Sequence, residues 1–183
     1  MTHFIFIRHG ETDWNLEGRW QGQADVPLNA NGLLQAEKVA QKLKNRKIEA
    51  IYASDLMRAR HTAEAVGRAT GHRVYFDVRL REIHQGDWQG LLISEIEGRY
   101  TDEFNKRQAD PLAFAPPGGE TARQVRDRAV AVMQEIMRQY PDGTVIIVSH
   151  GFTIAVLLTH FRGLPFDQVW HQIPQNGDPV ELD

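Results

Sequence analysis

The sequence predicts an α/β fold in which helices cover both faces of a mostly parallel sheet, giving three layers, α/β/α. First, short β-rich apolar runs alternate along the chain with longer segments whose apolar residues recur at helical spacing. Second, the segment TVIIV at residues 144–148 is apolar almost throughout, which suits a strand buried on both faces of a parallel sheet. We expect the chain, residues 1–183, to form one domain.

The first predicted strand is HFIFI, residues 3–7, and a loop rich in Gly, Asn and Gln follows over residues 10–28. Asn29 is the predicted N-cap of an amphipathic helix over residues 30–45. The apolar stripe of this helix consists of Leu33, Ala36, Val39, Ala40 and Leu43.

The second predicted strand is IEAIYAS, residues 48–54, and it leads into a second helix. Asp55 is the predicted N-cap of this helix and Gly71 its predicted end. The inward face consists of Leu56, Ala59, Ala63 and Val66. The short run RVYFD, residues 73–77, is the third predicted strand.

The remainder of the chain begins with a less regular region, residues 80–120, in which PLAFAPPGG is a predicted loop. Thr121 begins a long helix, and the apolar strand around residues 144–148 follows it. Residues 152–160 are predicted to be helical, and a tail that contains proline closes the chain. The apolar face of the long helix consists of Val125, Ala129, Val132, Met133 and Ile136.

The composition disfavours several classes of protein. Cysteine is absent, which excludes disulfides, thiolate metal ligands and a cysteine nucleophile. The net charge is −3 and no basic run is present, so nucleic-acid binding is disfavoured. No charged leader precedes an apolar stretch, and no apolar segment approaches the ~18 residues that span a membrane. We therefore expect a cytoplasmic protein with no nucleic-acid or membrane partner.

Histidine followed by glycine ends two of the predicted strands. Arg8, His9 and Gly10 follow the first strand, and His150 ends the segment VIIVSHG. Ligands of open parallel sheets bind beyond the carboxyl ends of the strands, which is where both histidines are expected. An arginine that stays charged, an imidazole and a glycine that permits close approach together indicate a site for an oxyanion, with phosphate the commonest.

Two further charged residues are candidates for the same site. Arg58 lies close to the end of the second strand and can converge on the same anion, whereas Arg60 belongs more simply to a solvated helix face. Glu82 precedes a loop rich in Gly and Trp. Alone it would be a surface acid, but beside arginines and histidines its carboxyl group can pass a proton to a leaving oxygen.

The eight histidines form no recognisable metal motif. No pair is spaced i, i+4 on a helix, HExxH is absent, and Arg8 beside His9 would repel a divalent ion. The nucleotide-binding motifs GxxxxGK[ST] and GxGxxG and the hydrolase motif GxSxG are also absent. We therefore expect neither a metal ion nor a cofactor.

The segment FIRHGETDWN, residues 6–15, resembles the opening motif of the histidine phosphatase superfamily, the phosphoglycerate mutase-like proteins. The resemblance covers nearly the whole chain in order, through GQADVPLNANGLLQA, IYASDLMRARHTAEA, LREIHQGDWQG, PPGGET and VIIVSHG. RHG alone is a weak motif, but the ordered series is very specific. It implies a phosphoglycerate mutase-like fold, and the chain is most similar to the branch of broad-specificity and α-ribazole phosphatases.

The resemblance also implies catalytic and binding roles. His9 would be the nucleophile that forms a phosphohistidine, and Glu82 would protonate the leaving alcohol and later help to activate water. A backbone carbonyl on the other ring nitrogen could fix the tautomer of His9 that attack requires. The residues that would hold the phosphoryl oxygens are Arg8, Arg58, His150 and Asn15. The residues that would line the pocket are Gln21 and Gly22.

Three features need separate comment: one acidic residue, one departure from the family pattern and the last segment. Glu120 matches an acid of the family, but a charge in the first turn of a helix explains it equally well. Gln89 stands in WQG where the family often has glutamate. The last segment, DPVELD, is expected to stop where many relatives continue with a last strand, which could open one side of the pocket.

The implied activity is metal-independent, acid-type hydrolysis of small phosphomonoesters by a monomer or homodimer. Glycolytic mutases of the family carry extra basic residues in a long insertion after the glutamate, and the segment here is short. Phosphoglycerate mutase-type transfer and a non-catalytic module that binds phosphorylated ligands stay open as alternatives. Specificity is expected from the loop around Trp88 and from residues 92–118. Four aromatic residues either form an apolar wall over the pocket or pack the loops: Trp14, Trp20, Trp88 and Phe114.

Overall fold

A five-stranded sheet runs through the protein, which the computed structural model describes over residues 1–183. Its strands are β1 (His3–Arg8), β2 (Ala50–Ala53), β3 (Val74–Phe76), β4 (Thr144–Ser149) and β5 (Pro179–Leu182). The order is β3-β2-β4-β1-β5, in which the first four strands are parallel and β5 pairs antiparallel with β1. The predicted α/β class with a mostly parallel sheet is confirmed.

Helices cover both faces of this sheet in the predicted three layers. They are α1 (Asp13–Glu17), α2 (Ala30–Leu43), α3 (Met57–Thr70), α4 (Ile93–Arg99), α5 (Thr101–Ala109), α6 (Ala122–Gln139) and α7 (Gly151–Phe161). One face packs against α2 and α3, and the other packs against α6 and α7. Three short 3₁₀ turns lie at Val78–Leu80, Gly86–Trp88 and Phe166–Gln172.

Side chains of β1 contribute alternately to the two cores. Ile5 and Ile7 pack with α2 and α3, whereas Phe4 and Phe6 pack with α6 and α7. All four side chains are buried, and each burial is worth about 1.5–3 kcal/mol. Because both faces of the strand are covered, its residues form a continuous apolar run in the sequence. This packing fixes the position of the strand end, where the candidate site begins.

The helix boundaries follow the predicted signals in three places. The Asn29 side chain caps α2 by accepting the Gly32 N–H at 2.8 Å. Thr121 and Gln124 form reciprocal capping bonds at the start of α6. Gly71 ends α3 with a φ of 75°, a left-handed conformation that glycine adopts without strain.

Asp55, in contrast, is not the N-cap of α3. The helix begins at Met57, whose N–H donates to the Asp25 carboxylate at 2.7 Å. Asp55 instead accepts two hydrogen bonds from the Arg81 guanidinium, at 2.7 and 2.5 Å. The prediction was wrong because a bidentate partner distant in sequence takes the carboxylate that would otherwise cap the helix.

Leu33 is also placed differently from the prediction, since its side chain is 51% exposed. The first turn of α2 turns Gly32 towards the interior instead. A Cβ at Gly32 would lie 2.0 Å from the Glu11 carbonyl oxygen, so the helix backbone itself is in contact with the loop after β1. This close approach leaves Leu33 at the border of the apolar stripe.

The chain contains a last strand, so the expectation that DPVELD stops short of one is wrong. β5 pairs with β1 from Ile7 opposite Pro179 to Phe4 opposite Leu182. Pro179 is the first residue of an edge strand, a position that tolerates proline. The four residues of β5 therefore cover the edge of β1.

The regions predicted to be irregular contain three helices. Residues 10–28 include α1, and residues 80–120 include α4 and α5. The loop predicted at residues 111–119 contains neither helix nor strand, which confirms that part of the prediction. None of the helices has both the length and the apolar character needed to cross a membrane.

Candidate active site

The carboxyl ends of β1 and β4 bring His9 and His150 together. Arg8 pairs with Ser149 in the parallel register, and the His9 N–H donates to the Ser149 carbonyl at 3.0 Å. The ring centroids of the two histidines are 5.2 Å apart, and both residues are buried. The two strand ends that terminate in histidine therefore meet at one edge of the sheet.

The His9 ring is oriented by the backbone of the next residue. Its Nδ1 lies 2.7 Å from the Gly10 carbonyl oxygen, which can only accept, so Nδ1 holds the proton and Nε2 keeps a lone pair. Burial first, and then the charges of Arg58 and Arg8, lower the pKa of His9 well below its ordinary value. The ring is therefore neutral and Nε2 can act as a nucleophile.

Position 10 requires glycine because α2 passes directly beside it. A Cβ at Gly10 would lie 2.3 Å from the Gly32 carbonyl oxygen. The Gly10 N–H donates to the Thr62 hydroxyl of α3 at 3.1 Å. The turn that orients His9 is thus fixed by contact with two helices.

The His150 ring is held by Ser54, which follows β2. His150 Nε2 lies 2.8 Å from Ser54 Oγ, and that hydroxyl also accepts the Leu56 N–H at 3.3 Å. The hydroxyl hydrogen of Ser54 can be donated to Nε2, which leaves the ring proton on Nδ1, a buried atom without a partner. Burial first, and then the charges of Arg58 and His9, lower the pKa of His150 well below its ordinary value. In that tautomer the neutral ring offers one unsatisfied donor.

Arg58 and Arg8 add positive charge to this edge. Arg58 is fully buried, and its Nη1 and Nη2 donate to the carbonyls of Ala24 and Gly22, both at 2.7 Å. Arg8 Nη1 donates to the Pro174 carbonyl at 3.0 Å. Burial lowers the pKa of both arginines, that of Arg58 to about 10. Arginine stays protonated at neutral pH in proteins, and backbone carbonyls fix the orientation of both guanidinium groups.

Unsatisfied polar atoms concentrate at this site. Six buried side-chain nitrogen or oxygen atoms lack a hydrogen-bond partner, and four of them are Arg8 Nε, Gln21 Oε1, Arg58 Nε and His150 Nδ1. Buried polar groups nearly always have partners, so this concentration points to a ligand. Two of the four atoms are guanidinium N–H donors, and His150 Nδ1 is a third donor in the tautomer whose Nε2 accepts from Ser54, which fits an anion with several acceptor oxygens.

The Glu82 carboxylate lies at the N-terminus of α7. Its oxygens accept the N–H groups of Phe152 and Thr153, both at 3.1 Å, and of Ile83 at 3.0 Å, and the Thr153 hydroxyl lies 3.1 Å from Oε1. These contacts hold the carboxylate oxygens in a fixed orientation at the cavity. Glu82 is the only carboxylate in the cavity lining, and no group of three His, Asp or Glu side chains able to hold a metal ion is found.

One cavity collects most of the predicted site residues. Its lining includes Arg8, His9, Asn15, Gln21, Gly22, Arg58 and Glu82. Asn15 Oδ1 accepts the Thr12 N–H and hydroxyl at 3.0 and 3.1 Å, which leaves its NH₂ group as a donor. His150 is not among the residues that line the cavity, although its buried ring lies directly beside that of His9, which does.

Sequence reasoning missed several residues of this site, of which three show why. Ser54 follows β2, and Thr153 lies in the first turn of α7 after β4, so the rule that placed the histidines could also have found them. Arg107 of α5 also lines the cavity and is 3% exposed. Its segment was predicted to be irregular, and nothing in the spacing separates Arg107 from the exposed Lys106 beside it.

The four aromatic residues that were expected either to form a wall of the pocket or to pack the loops do not all have the same role. Trp20 lines the cavity. Trp88 is fully buried and contacts Trp20 and Phe114, so Trp88 and Phe114 pack the loops. Trp14 does not line the cavity either, and its ring lies against Gly90. Only one of the four therefore contributes to the wall.

Glu120 lies outside the cavity and Arg60 lies on the surface. Glu120 accepts two hydrogen bonds from Arg128, both at 3.0 Å, and the His84 N–H at 2.8 Å. It therefore supports the chain segment around Glu82. Arg60 is exposed, as predicted for a solvated helix face.

The chain belongs to the histidine phosphatase superfamily (branch 1), whose family model matches residues 4–183. The match includes the carboxyl ends of the strands and all the cavity residues described above. The resemblance that the ordered motifs indicated is thereby confirmed.

Curated relatives include phosphatases and a probable mutase. The chain is 38% identical over 174 residues to glucosyl-3-phosphoglycerate phosphatase of Mycolicibacterium vanbaalenii, covering 91% of this chain and 77% of the relative. It is 31% identical over 170 residues to phosphoserine phosphatase 1 of Hydrogenobacter thermophilus, covering 93% and 81%. It is 37% identical over 167 residues to the probable phosphoglycerate mutase GpmB of Serratia proteamaculans, covering 90% and 77%.

Solved structures agree over almost the entire chain. Mycobacterial glucosyl-3-phosphoglycerate phosphatase in complex with VO3 has a TM-score of 0.91 and 34% identity, covering 99% of this chain and 90% of that one. The α-ribazole phosphatase from Shigella flexneri has a TM-score of 0.89 and 26% identity, covering 99% and 90%. Family and relatives together support a hydrolase that acts on small phosphorylated compounds.

Proposed function

We propose that the protein is a metal-independent, acid-type phosphomonoesterase that hydrolyses small phosphomonoesters through a phosphohistidine at His9. The observation that carries this proposal is the bond from His9 Nδ1 to the Gly10 carbonyl, which leaves Nε2 unprotonated in a ring that the charges of Arg58 and Arg8 also keep neutral. The lowered pKa of His9 keeps this nitrogen available in mild acid, as an acid-type enzyme requires.

In the first step, His9 Nε2 forms a bond to phosphorus while the bond from phosphorus to the ester oxygen breaks. The electron pair of that bond stays on the ester oxygen, which takes the proton of the Glu82 carboxyl group and leaves as an alcohol. Arg8, Arg58, His150 Nδ1 and the Asn15 NH₂ group would bind the three phosphoryl oxygens.

In the second step, the Glu82 carboxylate accepts a proton from water, and the water oxygen attacks phosphorus. The bond from phosphorus to Nε2 breaks, its electron pair returns to His9, and inorganic phosphate leaves with Glu82 protonated again. The Glu82 oxygens that take part in both proton transfers are held in place by the N–H groups of Phe152 and Thr153.

The test is hydrolysis of p-nitrophenyl phosphate with EDTA present, together with alkaline quenching to trap a phosphorylated histidine. We expect turnover in EDTA, and a fall of at least about 10³-fold for His9→Ala, since removal of a nucleophile has effects of this order. His160→Ala is the matched control, because His160 is exposed at the far end of α7. A metal requirement, or full activity of His9→Ala, would overturn the proposal.

Assays on the same protein preparation distinguish the two alternative functions, a mutase and a non-catalytic binding module, from the proposed phosphatase. A mutase would exchange the phosphoryl group between 2- and 3-phosphoglycerate when primed by a bisphosphate, and hydrolysis without exchange excludes it. A non-catalytic binding module would give no phosphohistidine. The relative named a probable phosphoglycerate mutase is the reason to run the exchange assay.

A further inference from the structure

Arg107 is a buried cation in the cavity that the proposed mechanism does not use. It lies on α5 and is 3% exposed, yet it lines the same cavity as His9 and Glu82. Its only side-chain hydrogen bond runs from Nη1 to Gln85 Oε1, at 2.7 Å. A guanidinium has five N–H donors, so most of the donors of Arg107 have no protein acceptor.

Aromatic rings fix the position of this guanidinium. The Arg107 Cζ atom lies 4.7 Å from the ring centroid of Trp20, and 5.7 to 5.8 Å from those of Trp88, Phe152 and Trp170. Such contacts stabilise a cation but do not satisfy its N–H groups. Burying a charge without an ionic partner costs free energy. The arrangement is therefore explained if an anionic ligand binds beside Arg107 and supplies the missing negative charge.

Arg107 stays charged and belongs to the same electrostatic field as the phosphate site. Burial lowers the pKa of Arg107 to about 10, which leaves it protonated at neutral pH. The negative charge of Glu82 acts on Arg107, and it also acts on Arg8 and Arg58. Arg107 differs from Arg8 and Arg58 in its position, because it lies on α5 and not at or just after the end of a strand.

We propose that Arg107 and Gln85 form a second anion subsite, which binds a carboxylate group of the substrate. This inference rests on the proposed phosphatase function and narrows its substrates to small phosphomonoesters that also carry a carboxylate. The Gln85 Oε1 atom accepts from Arg107, so its NH₂ group remains as a donor beside the guanidinium. Two adjacent donor groups and one positive charge match a planar, singly charged carboxylate.

The test compares 3-phosphoglycerate with glycerol 3-phosphate, two esters that differ by a carboxylate in place of a hydroxymethyl group. We expect the wild-type protein to favour 3-phosphoglycerate in kcat/KM by at least about tenfold, as bonds to a charged group imply. In Arg107→Met, kcat/KM on 3-phosphoglycerate should fall at least about ten times further than on glycerol 3-phosphate. Arg107→Lys should retain part of the preference, because its charge persists without the planar donors.

Lys106→Met is the matched control, since Lys106 is the exposed neighbour of Arg107 on the same helix. It should leave the substrate preference unchanged. The subsite is overturned if the wild-type protein shows no preference, or if Arg107→Met and Arg107→Lys lose activity equally on both esters. Either result leaves the proposed function standing, because hydrolysis of p-nitrophenyl phosphate and the trapped phosphohistidine test that function separately.

Discussion

His9 and His150 each follow directly after a parallel strand, and their ring centroids lie 5.2 Å apart although 141 positions separate them in the chain. They meet because β1 and β4 are neighbours in the sheet while β2 and β3 lie beyond β4. Both rings are buried, and both have lowered pKa values. The two buried neutral histidines therefore affect both the chemistry of the site and the pH dependence of the free energy of unfolding.

The free energy of unfolding should decrease as the pH falls below about 6.5, where histidines of the unfolded chain take up protons. The native rings stay neutral there, so the unfolded state binds more protons and gains stability relative to the native state. The contribution is fully present above that pH and is lost between it and the lower native pKa. Each histidine adds a slope of up to about 1.4 kcal/mol per pH unit, which urea unfolding at several pH values measures.

The contribution of one ring can be isolated by substitution. His150→Asn should unfold with a shallower dependence on pH than the wild-type protein, because one buried neutral ring is gone. His160→Asn removes an exposed histidine of the same helix and should keep the wild-type slope. If the free energy of unfolding depended equally on pH in all three proteins, the lowered pKa of His150 would be contradicted.

Thr153 is expected to position Glu82. Its hydroxyl lies 3.1 Å from Glu82 Oε1 and 2.9 Å from the Arg81 carbonyl. Thr153→Val should lower kcat about fivefold, which corresponds to a net hydrogen bond of about 1 kcal/mol. Thr153→Ser keeps the hydroxyl and should restore most of the rate. The measurement is kcat on one alkyl phosphate for the three proteins, and a Val variant with the wild-type rate would refute the role.

The sequence predicted the parts of the fold that depend on local pattern. The apolar runs of β1 and β4 predicted strands, and the capping residues Asn29 and Thr121 marked two helix starts. The same strand ends identified His9 and His150, because the rule about ligands at strand ends needs only the order of elements. Local patterns were therefore sufficient to predict the elements whose structure depends on residues that are near one another in the sequence.

The sequence did not reveal features that depend on contacts between distant segments. Asp55 has the residue type and the position of an N-cap, but its carboxylate binds Arg81. The Asp25 carboxylate accepts the first N–H of the helix instead. Arg107 looks like any surface arginine of a polar helix until α5 packs it among aromatic rings from four other segments. The pairing of β5 with β1 likewise becomes visible only when the two ends of the chain are brought together.

Gly32→Ala should destabilise the protein and impair catalysis together. The added Cβ would lie 2.0 Å from the Glu11 carbonyl oxygen, so the loop after β1 must move. Overpacking of this kind costs about 1–3 kcal/mol. Gly98→Ala in α4 is the control, because a Cβ added there would meet no atom within 4 Å, and it should be neutral or stabilise the helix by up to about 1 kcal/mol. Urea unfolding and kcat on p-nitrophenyl phosphate measure both effects, and an unaffected Gly32→Ala would contradict the close contact.

Arg128 is expected to hold the backbone segment that presents Glu82. Its guanidinium donates to the carbonyls of Arg79, Arg81 and Glu82 at 2.6, 2.7 and 3.0 Å. Its remaining bonds go to the Glu120 carboxylate, which also accepts the His84 N–H. Many hydrogen bonds thus converge on one side chain, and Arg128→Met should lower the free energy of unfolding by about 3 kcal/mol.

The leaving group distinguishes a positioning role from general destabilisation. An alkoxide needs the proton of Glu82 in order to leave, whereas p-nitrophenolate leaves readily without one. In Arg128→Lys, which keeps the charge but not the array of donors, kcat on glycerol 3-phosphate should fall several times further than kcat on p-nitrophenyl phosphate. Equal losses on the two substrates would mean that Arg128 supports only the fold. A selective loss would show that the carbonyls of residues 79–82 must be held together for Glu82 to reach the leaving oxygen.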